Sequence, residues 1–205
     1  MIKIIRKSTE SVMEITIAPG PVKPDYRKKI NTPIPFLNHM IEHIVWRSGL
    51  NIEAKTELSN FNLSHLICED LGITLGKALA EYVKENTSCG MYGFGDGIGI
   101  IDEARAFAAV SFESRAYFDF EYENLPAETE GMLSEDLETF LEGMAQGACM
   151  TLQISLQKGN NGHHIWEAIY RSVGLAIGRA VAPMESRKGM TSGVAGAIEF
   201  ITEKD

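Results

Sequence analysis

A helix-borne chelating pattern occurs twice in this chain, 98 positions apart: His65-Leu66-Ile67-Cys68-Glu69 and His163-His164-Ile165-Trp166-Glu167. A His and a Glu four positions apart on a helix project from one face about one turn apart, where an imidazole nitrogen and a carboxylate oxygen reach a single divalent ion. The duplication runs further. Gly76 repeats as Gly174, Ala78 as Ala176 and Val83 as Val181, and the apolar Leu71, Leu75 and Leu79 fall on Ile169, Val173 and Ile177. Both segments share one helical stripe, so the chain reads as two copies of a half-domain.

The elements around these helices are predicted to repeat as well. Residues 1–17 alternate as a strand, Pro19-Gly20-Pro21 turns the chain, and a second extended piece lies near 27–31. A helix over 36–47 ends at Gly49, NIEAKTEL alternates as a strand, and Asn60, Asn62 and Ser64 announce the helix from about 65 to 85. After a glycine-rich joint at 90–99, strands are expected at 107–113 and 115–123, a helix at about 135–148, a strand at 150–157 and a helix at about 163–182. The fold class implied is α+β: tandem duplicated half-domains, each a mostly antiparallel or mixed sheet with two helices on one face, the helices packed between the two sheets. The expectation is one domain over 1–205 made of two repeats, 1–90 and 91–205.

Composition narrows the function classes. With 44% hydrophobic residues in 205, the chain can bury a substantial core. A net charge of -9 without a dense Lys/Arg tract argues against a nucleic-acid partner, although a basic local pocket can still bind a small phosphate. No stretch approaches the roughly 20 apolar residues that span a bilayer, and the first residues lack a signal peptide's apolar core. Three cysteines without a CxxC pair indicate neither a disulfide framework nor a zinc ribbon, and a reducing cytoplasm is expected.

All five histidines fall in three short segments, with His39 and His43 one helical turn apart on the helix before the first chelating motif. Metal ligation by His39, His65, Glu69, His163, His164 and Glu167 is the reading favoured over solvated helix pairs. Adjacent His163 and His164 diverge by about 100° around a helix. They suit two metal centres, or one metal and one other partner, better than a single ion.

The strings TPIPFLNHM at 32–40, HLICED at 65–70, DEARA at 102–106, SRAY at 114–117, KGNNGHHIWEA at 158–168 and SRKGM at 186–190 together resemble the imidazoleglycerol-phosphate dehydratases of histidine biosynthesis over nearly the whole chain. The resemblance implies a carbon–oxygen lyase that uses Mn2+, one or two ions per subunit, with another divalent metal as an option. It also implies a small phosphorylated substrate and a large homo-oligomer, up to about 24 subunits, with active sites between subunits.

By the same resemblance, Glu10 matches an acid/base glutamate, Glu69 and Glu167 are ligands first, and Asp102 and Glu103 support the site or the fold. Arg115, Ser186, Arg187 and Lys188 match the phosphate-binding positions. The chain departs from the family pattern at Leu66 and Thr139, where it lacks two histidines, and at Gly93, where it lacks a phosphate arginine. If the internal repeat relates the two sites, one comprises His39, His65, Glu69 and His164, and the other Thr139, His163, Glu167 and Leu66. On that arrangement one site is intact and one crippled; alternatively His43 serves as a substitute ligand. Three functions stand open: the family dehydration, a diverged enzyme acting on another small phosphorylated metabolite, and a non-catalytic metal-binding assembly protein.

Overall fold

A computed structural model of the chain describes residues 1–60, 62–199 and 201–203. The first half runs β1 (Ile2–Lys7), β2 (Ser11–Ala18), β3 (Ile30–Asn31), α1 (Pro35–Ser48), β4 (Asn51–Leu58) and α2 (Ser64–Glu85). The second runs β5 (Phe94–Ile101), β6 (Ala104–Ser111), β7 (Tyr117–Glu121), the small hairpin β8 (Glu128–Thr129) and β9 (Met132–Leu133), α3 (Ser134–Ala148), β10 (Thr151–Lys158) and α4 (Gly162–Ala180). Each half builds one four-stranded sheet, in the orders β1-β2-β4-β3 and β5-β6-β10-β7. In both, three strands are antiparallel and the last joins in parallel. The duplication read from the helices therefore holds for strand order and direction as well.

Two expectations about the strands are corrected. Residues 1–17 are a hairpin rather than one strand, because Ser8 Oγ accepts the N–H groups of Glu10 at 3.2 Å and Ser11 at 3.1 Å and turns the chain. Apolar residues alternate on both sides of this turn, so the period gives no warning of it. The glycine-rich joint is largely strand β5. Gly95, Gly97 and Gly99 share one face of it by the two-residue period, and α4 lies directly on that face. A Cβ would stand 2.1 Å from Ala176 O at Gly95 and 1.9 Å from Ala168 O at Gly99. These glycines serve close approach, not a flexible link.

The helices occupy the space between the sheets, as the pattern predicts. α2 lies on β1 and β2, α4 lies on β5 and β6, and across the middle α1 packs on α4 while α2 packs on α3. Trp166, Tyr170 and Phe140 are among the largest fully buried side chains there. Burial of the first two is tolerated because their polar ends are satisfied: Trp166 Nε1 donates to Ser134 Oγ at 3.1 Å, and the Tyr170 hydroxyl to Leu137 O at 3.0 Å.

The duplication makes the α1–α4 and α2–α3 crossings equivalents, yet their contents differ. Counted back from the left-handed residues that end them, Gly49 and Cys149, α1 carries His39 and His43 where α3 carries Thr139 and Gly143. At Gly143 a Cβ would already stand 2.9 Å from Glu69 O, and at Gly72 it would stand 2.3 Å from Phe140 O. One crossing is close-packed backbone on backbone. The other holds imidazoles.

Candidate metal centre

Local sequence aims the imidazoles. Ahead of α1, Thr32 Oγ1 donates to Asn38 Oδ1 at 2.8 Å and Asn38 Nδ2 returns a bond to Thr32 O at 3.1 Å, with Pro35 in the first turn. This fixes the entry of α1 one residue before His39. α4 is capped by Asn161, whose side-chain oxygen accepts from His163 N at 2.9 Å and His164 N at 3.4 Å. The crossing of α1 and α4 then brings His39 and His43 against His163 and Glu167.

Glu167 is the centre of the group and is buried. Its Oε1 lies 2.9 Å from His39 Nε2, 3.3 Å from His43 Nε2 and 3.2 Å from His163 Nε2. Its Oε2 accepts from the Arg171 guanidinium, which also donates to Ile100 O at 2.9 Å. Donor atoms of His39, His43 and Glu167 all lie within 4.8 Å of one another. Ligands about 2.1 Å from an ion and at right angles stand about 3 Å apart, so nitrogen and oxygen donors at this spacing fit a divalent metal.

Outer carboxylates orient two of the rings. Glu130 Oε1 lies 3.0 Å from His163 Nδ1, and Glu42 Oε2 lies 3.4 Å from His39 Nδ1. Once Nε2 is taken by an ion, a carboxylate on Nδ1 holds the ring proton there, the arrangement found behind metal-bound imidazoles; without the ion, the Nε2–H of His39 donates to Glu167. Next to the group opens a cleft of about 530 Å3, walled by Phe36, His39, Asn62, Glu130, Met132 and His163 among others.

The electrostatics keep these donors in ligand form. Burial pushes the Glu167 carboxyl up, but the hydrogen bond from His39 and the charge of Arg171 outweigh it and hold it below the usual range. Burial lowers His43 from 6.5 to about 4, against the pull of Glu167. Both groups are therefore in their metal-binding protonation state at neutral pH.

A pH prediction follows for the metal-free protein. Above pH 6.5 His43 is neutral folded and unfolded; as pH falls from 6.5 toward about 4, the unfolded chain takes up a proton that the native chain refuses. Stability is thus lost on acidification across that window, by about 2 kcal/mol allowing for partial solvent screening. Denaturant titrations at a series of pH values, with His43→Gln for comparison, check this: the substitution is expected to flatten the slope.

The other sequence candidates lie elsewhere. His164 turns away from His163, their rings at 88°, and its Nδ1 lies 2.8 Å from Glu103 Oε2. Glu103 also accepts from Asn161 N at 2.9 Å and Asn160 N at 3.2 Å, which together with His164 hold its pKa down to about 2. The Glu103 hydrogen bond raises His164 in turn.

His65 Nδ1 lies 3.4 Å from Asp136 Oδ1 at the α2–α3 crossing, and Glu69 is exposed on α2. Within one chain His39 meets Glu167 and His163, because α1 crosses α4 and not α2; His65, Glu69 and His164 stand apart from it. Glu10 is exposed at the tip of the β1–β2 hairpin. Arg115 pairs with Glu113 at 3.0 Å, Arg187 donates to Tyr92 O, and Ser186 and Lys188 are exposed on the same C-terminal segment. None of these enters the His39–Glu167 group.

Arg171 and Glu130 went unread. Arg171 was readable as the i+4 partner of Glu167, whereas Glu130 arrives from the β8–β9 turn and no spacing announces it. Asp70, buried and held by Arg6 at 2.5 Å and Ser11 Oγ at 2.7 Å, anchors α2 to the first sheet.

Comparison with known proteins agrees with this architecture. Residues 32–177 match the family model described as imidazoleglycerol-phosphate dehydratase. The imidazoleglycerol-phosphate dehydratase of Caldivirga maquilingensis is 34% identical over 177 residues, 85% of this chain and 87% of its own. That of Staphylococcus epidermidis is 32% identical over 184 residues, 89% of this chain and 92% of its own. Among solved structures, the Pyrococcus furiosus enzyme superposes with a TM-score of 0.76 at 27% identity, covering 95% of this chain and 100% of its own. The Staphylococcus aureus enzyme gives 0.74 at 26% identity, covering 89% and 100%.

Proposed function

The chain belongs to the imidazoleglycerol-phosphate dehydratase family, and from that premise we propose that it is a metal-dependent hydro-lyase converting imidazole glycerol phosphate to imidazole acetol phosphate in histidine biosynthesis. The observation that carries this reading is the meeting of His39, His43 and His163 on the single oxygen Glu167 Oε1, beside an open cleft. Mn2+ would be held by His39, His43 and Glu167, with His163 Nε2 beside them on Glu167 Oε1. When bound it supplies Lewis-acid polarisation of an imidazole ring.

The chain's own groups do the rest. Arg171 neutralises the outer oxygen of Glu167 and fixes its carboxylate plane. Phe36 and Met132 give the cleft an apolar wall against which a planar ring can lie. Glu130, half in solvent and 3.0 Å from His163 Nδ1, is placed to exchange a proton with that nitrogen at the cleft wall. His65, Glu69, His164, Glu10 and the loop with Ser186, Arg187 and Lys188 complete sites across subunit contacts of a large homo-oligomer, Glu10 as acid/base. Each chain enters it as one unit of two repeats, 1–90 and 91–205.

A second reading is favoured by one observation. The α2–α3 crossing, equivalent to the metal-bearing one, is packed shut by Gly72 and Gly143 and has Thr139 in the place of a histidine. An enzyme with one such centre fits another small phosphorylated substrate as well. Growth of a strain lacking the dehydratase decides between them: this chain is expected to restore growth without histidine, and soluble expression without growth would reject the dehydration in favour of the second reading.

A further inference from the structure

We propose that the outer face of the second sheet, β5-β6-β10-β7, is a contact surface for a second copy of this chain. The inference rests on the homo-oligomer reading for the partner, and on the side chains of the face for the surface itself.

Strand register sorts the outward side chains. α4 lies on Gly95, Gly97 and Gly99, so the alternate residues of β5 point away from the core. Phe94, Ile98 and Ile100 are 55%, 53% and 60% exposed, and Phe107 of β6 stands opposite Ile98. Tyr117 of β7, also exposed, shares the row of Phe94 through Ser111 and Thr151. Scattered apolar residues are ordinary on a surface. Here they form a continuous strip along β5 and β6, of the kind that marks an interaction site.

The internal repeat supplies a control. The equivalent outer face, on β1, β2 and β4, is charged and neutralises itself: Lys3 lies 2.9 Å and Lys55 3.6 Å from Glu14, and Lys29 lies 4.0 Å from Glu53. Ile5 is the one large apolar strand residue exposed there among the described residues. That face is finished against water, and the second is not.

Charge identifies the partner. Arg105 and Lys158 are direct cross-strand neighbours, a like-charge pair that destabilises unless an anion approaches from outside. Asp119 and Glu121 lie on the outward side of β7, opposite Gln153 and Ser155. None of these four forms an ion pair among the described residues, whereas Asp96 on the same face is held by Arg179 at 3.3 Å. The face thus carries two free cations and two free anions beside an apolar strip, the layout of an interface with a polar rim. A surface holding both members of each attraction is self-complementary, as contact between identical copies requires. Its charges balance, so two chains of net charge -9 meet here without the repulsion of the remaining surface.

The contact is face to face. Arg179 donates to Asp96 O and Arg171 to Ile100 O, both at 2.9 Å, so side chains of α4 occupy the free edge of β5 and block strand addition. Four strands about 4.8 Å apart and up to eight residues long project about 19 by 26 Å, over half of the ~800 Å2 that each partner of a standard interface buries.

Sedimentation equilibrium of the manganese-loaded protein tests this with wild type, Ile98→Glu, Arg105→Glu/Lys158→Glu, a variant adding Asp119→Lys/Glu121→Lys to that pair, and Ile5→Glu on the other sheet. Ile98→Glu is expected to weaken self-association at least about tenfold, and Arg105→Glu/Lys158→Glu in the same direction. Reversing all four charges is expected to restore it, and Ile5→Glu to leave it unchanged. Circular dichroism checks folding, and the exposed Arg105→Glu/Lys158→Glu pair carries the test should Ile98→Glu not fold. Wild-type mass in both weakening variants, no recovery on full reversal, equal dissociation by Ile5→Glu, or a monomeric wild type would overturn the proposal. Dissociation by Ile98→Glu in a protein that does not turn over imidazole glycerol phosphate would uphold the surface and reject the dehydratase reading alone. Full turnover by an oligomer indifferent to Ile98→Glu would do the reverse.

Discussion

Replacing Glu167 by Gln is expected to lower manganese affinity and kcat/KM by about a hundredfold or more, the largest loss of function from any single change in the chain. The carboxylate acts at both oxygens: Oε1 faces three imidazole nitrogens and Oε2 holds Arg171. Gln keeps the shape but places a neutral amide among groups arranged for an anion, and it leaves the largely buried Arg171 cation without its counter-charge. Metal affinity should fall because the negative donor is gone, and stability should fall as well because breaking a buried pair exposes the cost of the remaining charge. Manganese EPR at fixed total metal separates the effects. The variant should show free aqueous ion while circular dichroism still reports a folded chain, and a Glu167→Gln protein that retains tightly bound manganese would remove Glu167 from the ligand set.

A large loss of stability is expected from Gly76→Ala. A Cβ there would stand 2.2 Å from Met144 O and 2.7 Å from Ala148 N, both backbone atoms of α3 that cannot rotate away. The helices must separate, and Gly72 ties them together again one turn earlier. Alanine returns about 1 kcal/mol of helix propensity, so the net loss is about 2 to 4 kcal/mol, or a fall in Tm of roughly 6 to 12 °C. Gly174→Ala, its equivalent in the repeat, meets Arg47 Cβ at 2.9 Å and His43 O at 3.0 Å. It is expected to cost much less, and thermal melts of the two variants side by side check the ranking. Equal losses would mean that the two crossings are packed alike.

That contrast shows where sequence carried the fold and where it stopped. The repeat, the helices and the paired sheets were legible because helical stripes and strand alternation are imposed by burial along a single segment. The hairpin at Ser8-Thr9-Glu10 was hidden because both of its strands keep the same alternation through the turn. β5 was hidden because Gly95, Gly97 and Gly99 read as a loop by propensity, while their role is to admit the backbone of α4, a partner about 70 to 80 residues further along the chain.

The site divides the same way. His163 with Glu167, and His39 with His43, were visible as i,i+4 pairs on their own helices. Which pair meets which within one chain depends on α1 crossing α4, a tertiary fact with no local signature. Glu130 arrives from the β8–β9 turn, a separate element. Only the fold brings these groups together.

The most direct measurement is a metal count on the purified oligomer after manganese loading and exhaustive dialysis, for wild type, His43→Gln and Glu167→Gln. The account predicts one tightly held ion per chain in wild type, weaker retention in His43→Gln and almost none in Glu167→Gln. An ion retained equally by all three proteins, or no ion retained by wild type, would contradict it.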